Sequence, residues 1–229
     1  MAMTATSMAA LVSGVRVVMD ENRVSTSLVA SNDIETLSLN ELIERNVITA
    51  ARTIEMMAPR HLLTDVDVYD KSNIGTATFS LEQLGEKHVG SLNLPTELLR
   101  VVGVKMSDWT TEGRLIDGSS PEYACQRSKW LGVGGTPEHP VAALVPHAAG
   151  GMKLEMYCSK KQDAALSYMT FITAPTKGSD GNVNICELLK DAIIYMAASL
   201  TCTSLGESQT AAGLRDEAFL LAEITTTDK

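Results

Sequence analysis

Histidine and cysteine are the side chains of this sequence best suited to acid–base, nucleophilic or metal chemistry, and their spacing supports little of it. His61, His88, His139 and His147 form no H-x-x-x-H or H-E-x-x-H pair, the spacings that set two imidazoles on one helix face around zinc. His139 and His147 flank the strand-like run Pro140–Pro146, which would set both at one sheet edge. Cys125, Cys158, Cys186 and Cys202 contain no C-x-x-C pair, so neither a zinc site nor a disulfide framework is expected. Buried, reduced thiols made in a reducing cytoplasm are the expectation. Arg127 and Lys129 near Cys125 would favour its thiolate, but no partner histidine is assigned, so a buried cysteine is expected there too.

Three further patterns have a chemical look and a plainer explanation. Asp65, Asp67 and Asp70 resemble a fragment of a calcium loop, yet Val66 and Val68 alternate between them and the loop's Gly and distal Glu are missing. A solvated strand face explains them better. Gly132-Val133-Gly134-Gly135 lacks the Lys-Ser/Thr of a phosphate loop and reads as a turn between Trp130 and Pro137. Ser119 and Ser120 sit in a Gly-Ser-Ser-Pro turn, not in a nucleophile elbow. No catalytic, cofactor-binding or metal-binding residue is assigned.

Trp109, Tyr123 and Trp130 form the one dense aromatic grouping. It either plugs a core, the favoured reading, or anchors an interface, where Trp and Tyr are enriched. For an interface, Arg114, Arg127 and Lys129 would supply a basic rim toward an acidic neighbour.

Composition bounds the rest. The 229 residues suffice for one or two domains, and 45% apolar content fits a globular chain. Aromatics are only 4%, so cores must be built from aliphatic residues and from 11 Met. A net charge of -9 disfavours a nucleic-acid reader, although an acidic wall would let DNA slide past. The ends are mildly acidic and residues 61–183 nearly balanced, with fourteen acids and eleven bases. No window is expected to reach transmembrane length, and Ser13, Gly14 and Arg16 interrupt the apolar N-terminus.

The elements that would position these residues follow from periodicity. Met8, Leu11, Val12, Val15, Val18 and Met19 predict a helix capped by Ser7, followed by a loop over Ser25–Thr36. Ser38 and Glu41 form a capping box for a second helix whose apolar stripe runs from Leu39 to Met57 and which Pro59 stops. From His61 to Thr176 the period falls to two, over Val66–Asp70, Ala77–Leu81, Val89–Leu94, Leu98–Met106, Met152–Cys158 and Leu166–Thr173. Helical spacing resumes with Asn184 as N-cap and Ile185, Leu189, Ile193 and Met196 on one face. A last helix then carries Leu205, Ala211, Leu214, Ala218, Leu221 and Ala222 inward, with Gly213 weakening it. The expected class is α+β: a helical bundle from 1–60 and 184–229 with an inserted, mostly antiparallel β domain over 61–183.

One resemblance bears on function. Ser38–Ile43, Ala50–Arg52, Ala58–Pro59 and Leu62–Leu63 form its first part. Leu94–Arg100, Val104–Trp109, Tyr123, Gln126, Gly135–Pro137 and Pro140–Val141 form the second. Together they resemble head–tail connector (adaptor or neck-ring) proteins of tailed phages, particularly crAss-like and other Bacteroidales phages. The resemblance implies a virion protein at the head–tail junction and no enzyme. It implies a homo-oligomeric ring, commonly of twelve subunits, beneath the portal protein and beside other neck or tail proteins. DNA would pass through the lumen without sequence-specific binding, and no membrane is involved. A minor capsid or tail-completion protein is the alternative within the virion. A thiol enzyme using Cys125 or Cys158 with His139 or His147 is the alternative outside that class.

Overall fold

The computed structural model describes residues 4–19, 38–64, 66–68, 79–130, 133–147 and 150–225. The chain is α+β and divides into two compact units, 1–66 with 174–229, and 67–173. The predicted loop over Ser25–Thr36 lies outside the described residues.

In the first unit β1 (Thr4–Ser7) leads into α1 (Met8–Val18), and α2 (Leu39–Met57) follows. The α2 capping box is formed: Ser38 Oγ accepts from the Glu41 amide at 3.3 Å, and the Ser38 amide donates to Glu41 Oε2 at 2.8 Å. Ala58, forced toward extended backbone by the following proline, ends the helix at ψ 144°. Its stripe of Leu39, Ile43, Val47, Ala50, Ala51 and Ile54 is buried, each large aliphatic contributing roughly 1.5–3 kcal/mol.

The second half of this unit departs from expectation at its start. Asn184 caps nothing; it lies in β10 (Asn182–Ile185), paired antiparallel with β1, Ala5 opposite Asn184. A 3-10 turn (Glu187–Leu189) intervenes before α4 (Lys190–Leu205) and α5 (Ser208–Leu221). Helix α4 is buried on nearly every side, at Ala192, Ile193, Ile194, Met196, Ala197, Ala198, Ser199, Thr201 and Cys202, and contacts α1, α2 and α5. Asn46 Nδ2 donates to Thr201 Oγ1 at 3.0 Å and the Cys186 amide donates to Glu55 Oε1 at 2.9 Å, so α2 and α4 run antiparallel. The segment Glu187–Leu205 is in fact long and apolar enough to cross a membrane, contrary to the sequence expectation. Half of it is buried inside the protein, as in the core helix of a folded unit. Along α5 only Ala211 and Ala218, with Ala222 just beyond, are buried, while Leu205 and Leu221 point outward rather than inward.

The second unit is a pair of facing sheets. One has the order β3 (Phe79–Leu84), β4 (Lys87–Asn93), β8 (Met152–Ser159), β7 (Val141–Pro146), β6 (Arg114–Asp117). The other is β2 (Asp67–Val68), β9 (Leu166–Thr173), β5 (Leu98–Met106). Every pairing is antiparallel except β6 with β7, which a crossover containing the short helix α3 (Pro121–Gln126) joins in parallel. Leu92, Leu154, Met156 and Ala142 from the first sheet and Val104, Met106, Met169 and Phe171 from the second share one core with Trp109. A second cluster, Val89, Ile116, Val141, Ala143, Val145, Tyr157 and Cys158, fills the other face of the five-stranded sheet, with Tyr123 of α3 against it. Of the predicted strand Val66–Asp70, Asp67 and Val68 are in β2 and Val66 is not, and Tyr69 and Asp70 lie outside the described residues.

Candidate functional site

The chemistry-bearing residues of the β unit converge where α3 and the loop after it cover the five-stranded sheet. Helix α3 exists because Ser120 accepts from the Glu122 amide at 3.3 Å and Pro121 supplies a preset φ at the first position. The Gly-Ser-Ser-Pro turn read from the sequence is therefore a helix start. Asp117 prepares it by accepting from the Ser119 amide and hydroxyl at 2.7 and 2.6 Å, bonds that hold its carboxyl below the usual range.

Two buried anchors tie α3 and its loop to the sheet. Gln126 Oε1 accepts from the Gly135 amide at 2.6 Å, and its Nε2 donates to Glu122 O at 3.4 Å. Gly135 lies so close to β8 that a Cβ there would stand 2.7 Å from Tyr157 O. Glu155 is the second anchor. Its carboxylate accepts from Tyr157 at 2.5 Å, Tyr123 at 2.9 Å and Arg127 at 3.4 Å, with Lys153 at 3.5 Å. Burial opposes ionisation there, but the two tyrosine hydroxyls and the two cations outweigh it and hold the carboxyl below its ordinary value. The same burial, with the carboxylate beside it, pushes the Tyr157 phenol upward.

The glycine-rich segment is a covering turn and not an anion cradle. Its polar groups face inward: buried Lys87 donates to Val133 O at 3.1 Å, and Cys158 Sγ donates to Gly135 O at 2.9 Å. Desolvation depresses the Lys87 ammonium and raises the Cys158 thiol, so each is driven toward its neutral form. Gly132 is outside the described residues.

Against this frame the expected interface residues separate. Trp109 is 3% exposed, and its Nε1 donates to Cys158 O at 3.0 Å, as a core residue does. Tyr123 and Arg127 meet at Glu155, and Tyr123 stands edge-on to Tyr157 at 6.5 Å. Arg114 pairs with Glu122. Trp130 leaves the core altogether: it is 58% exposed, with Lys129 Nζ 5.4 Å from its ring centre. The favoured expectation of a three-aromatic plug therefore holds for Trp109, while Trp130 is a surface residue. Sequence reasoning missed Gln126, Glu155 and Lys87 as organisers. The Met152–Cys158 alternation did place 153, 155 and 157 on one face; nothing signalled that a helix would cover it.

Beside α3 lies a cleft of about 460 Å³ lined by Glu112, Arg114, Glu122, Cys125, Gly134 and His139. Cys125 is exposed, not buried as expected, because it sits on the outer side of a one-and-a-half-turn helix. It shares the cleft with His139, whereas His147 lies at the opposite end of β7. Among the described residues, no side-chain hydrogen bond orients the His139 ring and no group of three His, Cys, Asp or Glu is placed to hold a metal ion. Elsewhere His61 pairs with Glu223 at 2.9 Å, and His88 is half-buried in β4. Asp67 is in β2, and Asp65 and Asp70 lie outside the described residues. No protein-family model matches this chain, and no curated protein matches it.

Proposed function

We propose that this chain is a virion structural protein, one subunit of a head–tail connector ring that links portal to tail with DNA passing through its lumen. Helices from the two chain ends form the bundle of the subunit, and the β unit adds contact surface. The observation that carries the reading is a collection of exposed apolar side chains at one end of the helical unit. Met56 and Met57 (56% and 49% exposed) finish α2, and Leu220 and Leu221 finish α5. The His61–Glu223 pair brings those two ends together. Leu188 (57% exposed) follows Cys186, whose amide is bonded to Glu55 near the end of α2. Such a patch suits protein–protein contact. The net charge of -9 suits a lumen that repels phosphate and lets DNA slide.

The buried titratable groups support the same reading, because Glu155, Lys87 and Cys158 are used to secure a covering helix and loop. Symmetry-resolved imaging of particles tests it. Density for this chain in a ring between portal and tail is expected; density elsewhere on the capsid or tail would favour a minor capsid or tail-completion protein. A chain that stays monomeric and binds no portal complex would sink the connector.

A second reading has one observation of its own, the shared cleft of Cys125 and His139. A thiol activated by a histidine reacts with alkylating reagents at a rate that stays high well below pH 8. A Cys125 rate that falls tenfold per pH unit from pH 8 downward would exclude a thiol enzyme.

A further inference from the structure

The loop after α3 and the outer face of α5 are both exposed, and each carries what the other lacks. The loop has Arg127, Lys129, Trp130 and Val133, the last two 58% and 42% exposed. Arg127 is partly engaged by Glu155, whereas Lys129 makes no ion pair among the described residues. Its backbone is bonded to the turn between β3 and β4, where the Glu86 amide donates to Lys129 O at 3.4 Å. Lys87 holds Val133 O and Gln126 and Cys158 hold Gly135, and the Val133 amide donates to Trp130 O at 3.3 Å. An exposed tryptophan beside a lysine is the composition of an interface anchor.

The outer face of α5 is a stripe at helical spacing: Gly213, Asp216, Glu217, Leu220 and Leu221. All five are exposed, Leu220 to 70%. Four acids lie between 207 and 223 against one base, Arg215; Arg215 stands 3.8 Å from Asp216 and His61 pairs with Glu223, while Glu217 makes no ion pair among the described residues. The stripe runs into the apolar end of the helical unit, which would enlarge any contact made on it.

We propose that the exposed Lys129, Trp130 and Val133 of one copy dock on the outer stripe of α5 of a second copy, Trp130 against Leu220 and Leu221 and Lys129 toward Glu217. The contact joins two different surfaces, so it is heterologous, and repeating it propagates around a ring. A partner of another kind is less well matched: a basic partner suits α5 alone and an acidic one the loop alone, whereas a second copy satisfies both. The inference rests on the ring reading and names the contact that would build it.

Disulfide trapping tests it in the full chain. In a Cys125→Ser background the remaining cysteines are buried. One chain carries Trp130→Cys and another Leu220→Cys. Mixed under mild oxidation, they are expected to give a heterodimer that neither yields alone, and a chain carrying both changes a ladder of linked subunits. Lys129→Glu is expected to weaken assembly on the order of tenfold or more, with mixed-charge recovery from Glu217→Lys. Wild-type rings seen by mass photometry, with no heterodimer and no effect of Lys129→Glu, would overturn this contact and leave the connector reading standing. A doubly substituted chain that closes on itself as a monomer would also overturn the contact. Wild-type chains that remain monomeric at every concentration would do the same, and the connector reading would then stand or fall on particle images.

Discussion

At the scale of single residues, the site is organised by buried polar groups whose partners lie on other elements. Gln126 is 4% exposed, and its side chain is the acceptor for the Gly135 amide. Gln126→Leu keeps the volume but strands that N–H away from water, a loss of about 1–3 kcal/mol. The urea midpoint of the β unit should fall accordingly, while a change within experimental error would show that water replaces the amide. Glu55 is expected to make the stability of the helical unit depend on pH. Burial raises its carboxyl to about 7, opposed by the bond from the Cys186 amide. An acid with a folded value above its unfolded value, ~4.3, binds more protons in the folded state between the two. Stability is therefore fully present below about 4.3 and declines as pH rises through 7, by at most roughly 4 kcal/mol. Other carboxyls act oppositely in acid, so the readout is a difference. Glu55→Gln, which keeps the acceptor for Cys186, should flatten the fall between pH 5 and 8. An unchanged pH profile in that variant would assign the dependence elsewhere. Neither role was legible in the sequence: Gln126 gives no local signal, and nothing near Glu55 shows that the Cys186 amide, 131 residues later, is bonded to it.

At the scale of elements, legibility followed how far each one is determined locally. Helix α2 was readable end to end because the capping box, the stripe and Pro59 are all contained within it. Asn184 looked like an N-cap because it precedes an apolar helical run, but its backbone pairs with Ala5, some 180 residues earlier, and pairing that distant leaves no trace in a local window. Helix α3 was hidden by its length and by the turn-like residues that cap it. Helix α5 was placed correctly but given too broad an inner face, since alanines and not leucines are its buried residues. That thin anchorage has a consequence. Its amides should exchange with solvent faster than those of α4, whose side chains are buried nearly all round. Gly213 is the weak point: a Cβ there meets nothing within 4 Å. Gly213→Ala should raise the stability of α5 by about 0.5–1 kcal/mol, seen as slower exchange along the helix. Unchanged exchange would mean that α5 opens only together with α4.

At the scale of the whole molecule, the change in sequence period from 3.6 to 2 and back marked two regions, and the structure resolves two compact units with boundaries near 66/67 and 173/174. The first boundary was close to the expected one at 60/61, and the second was blurred in sequence because β10 is strand-like yet belongs with the helices. The two-residue strand β2 decides how the β unit stands alone. Asp67 pairs with Phe171, so the points where the chain enters and leaves the unit are neighbours in one ladder. Its two apolar clusters are drawn wholly from residues between 79 and 171, and both anchors of α3 are internal to it. A unit with adjacent ends and its own core meets the conditions for independent folding. Residues 67–173 expressed alone should therefore unfold cooperatively in urea and give a dispersed amide spectrum. The Trp109 indole should be protected from exchange through its bond to Cys158 O, and the Trp130 indole should exchange freely. The reciprocal chain, with 67–173 replaced by a short linker between Val66 and Ala174, should retain its helical signal. A collapsed spectrum for residues 67–173, with both indoles exchanging alike, would show that the β unit depends on the helices for its fold.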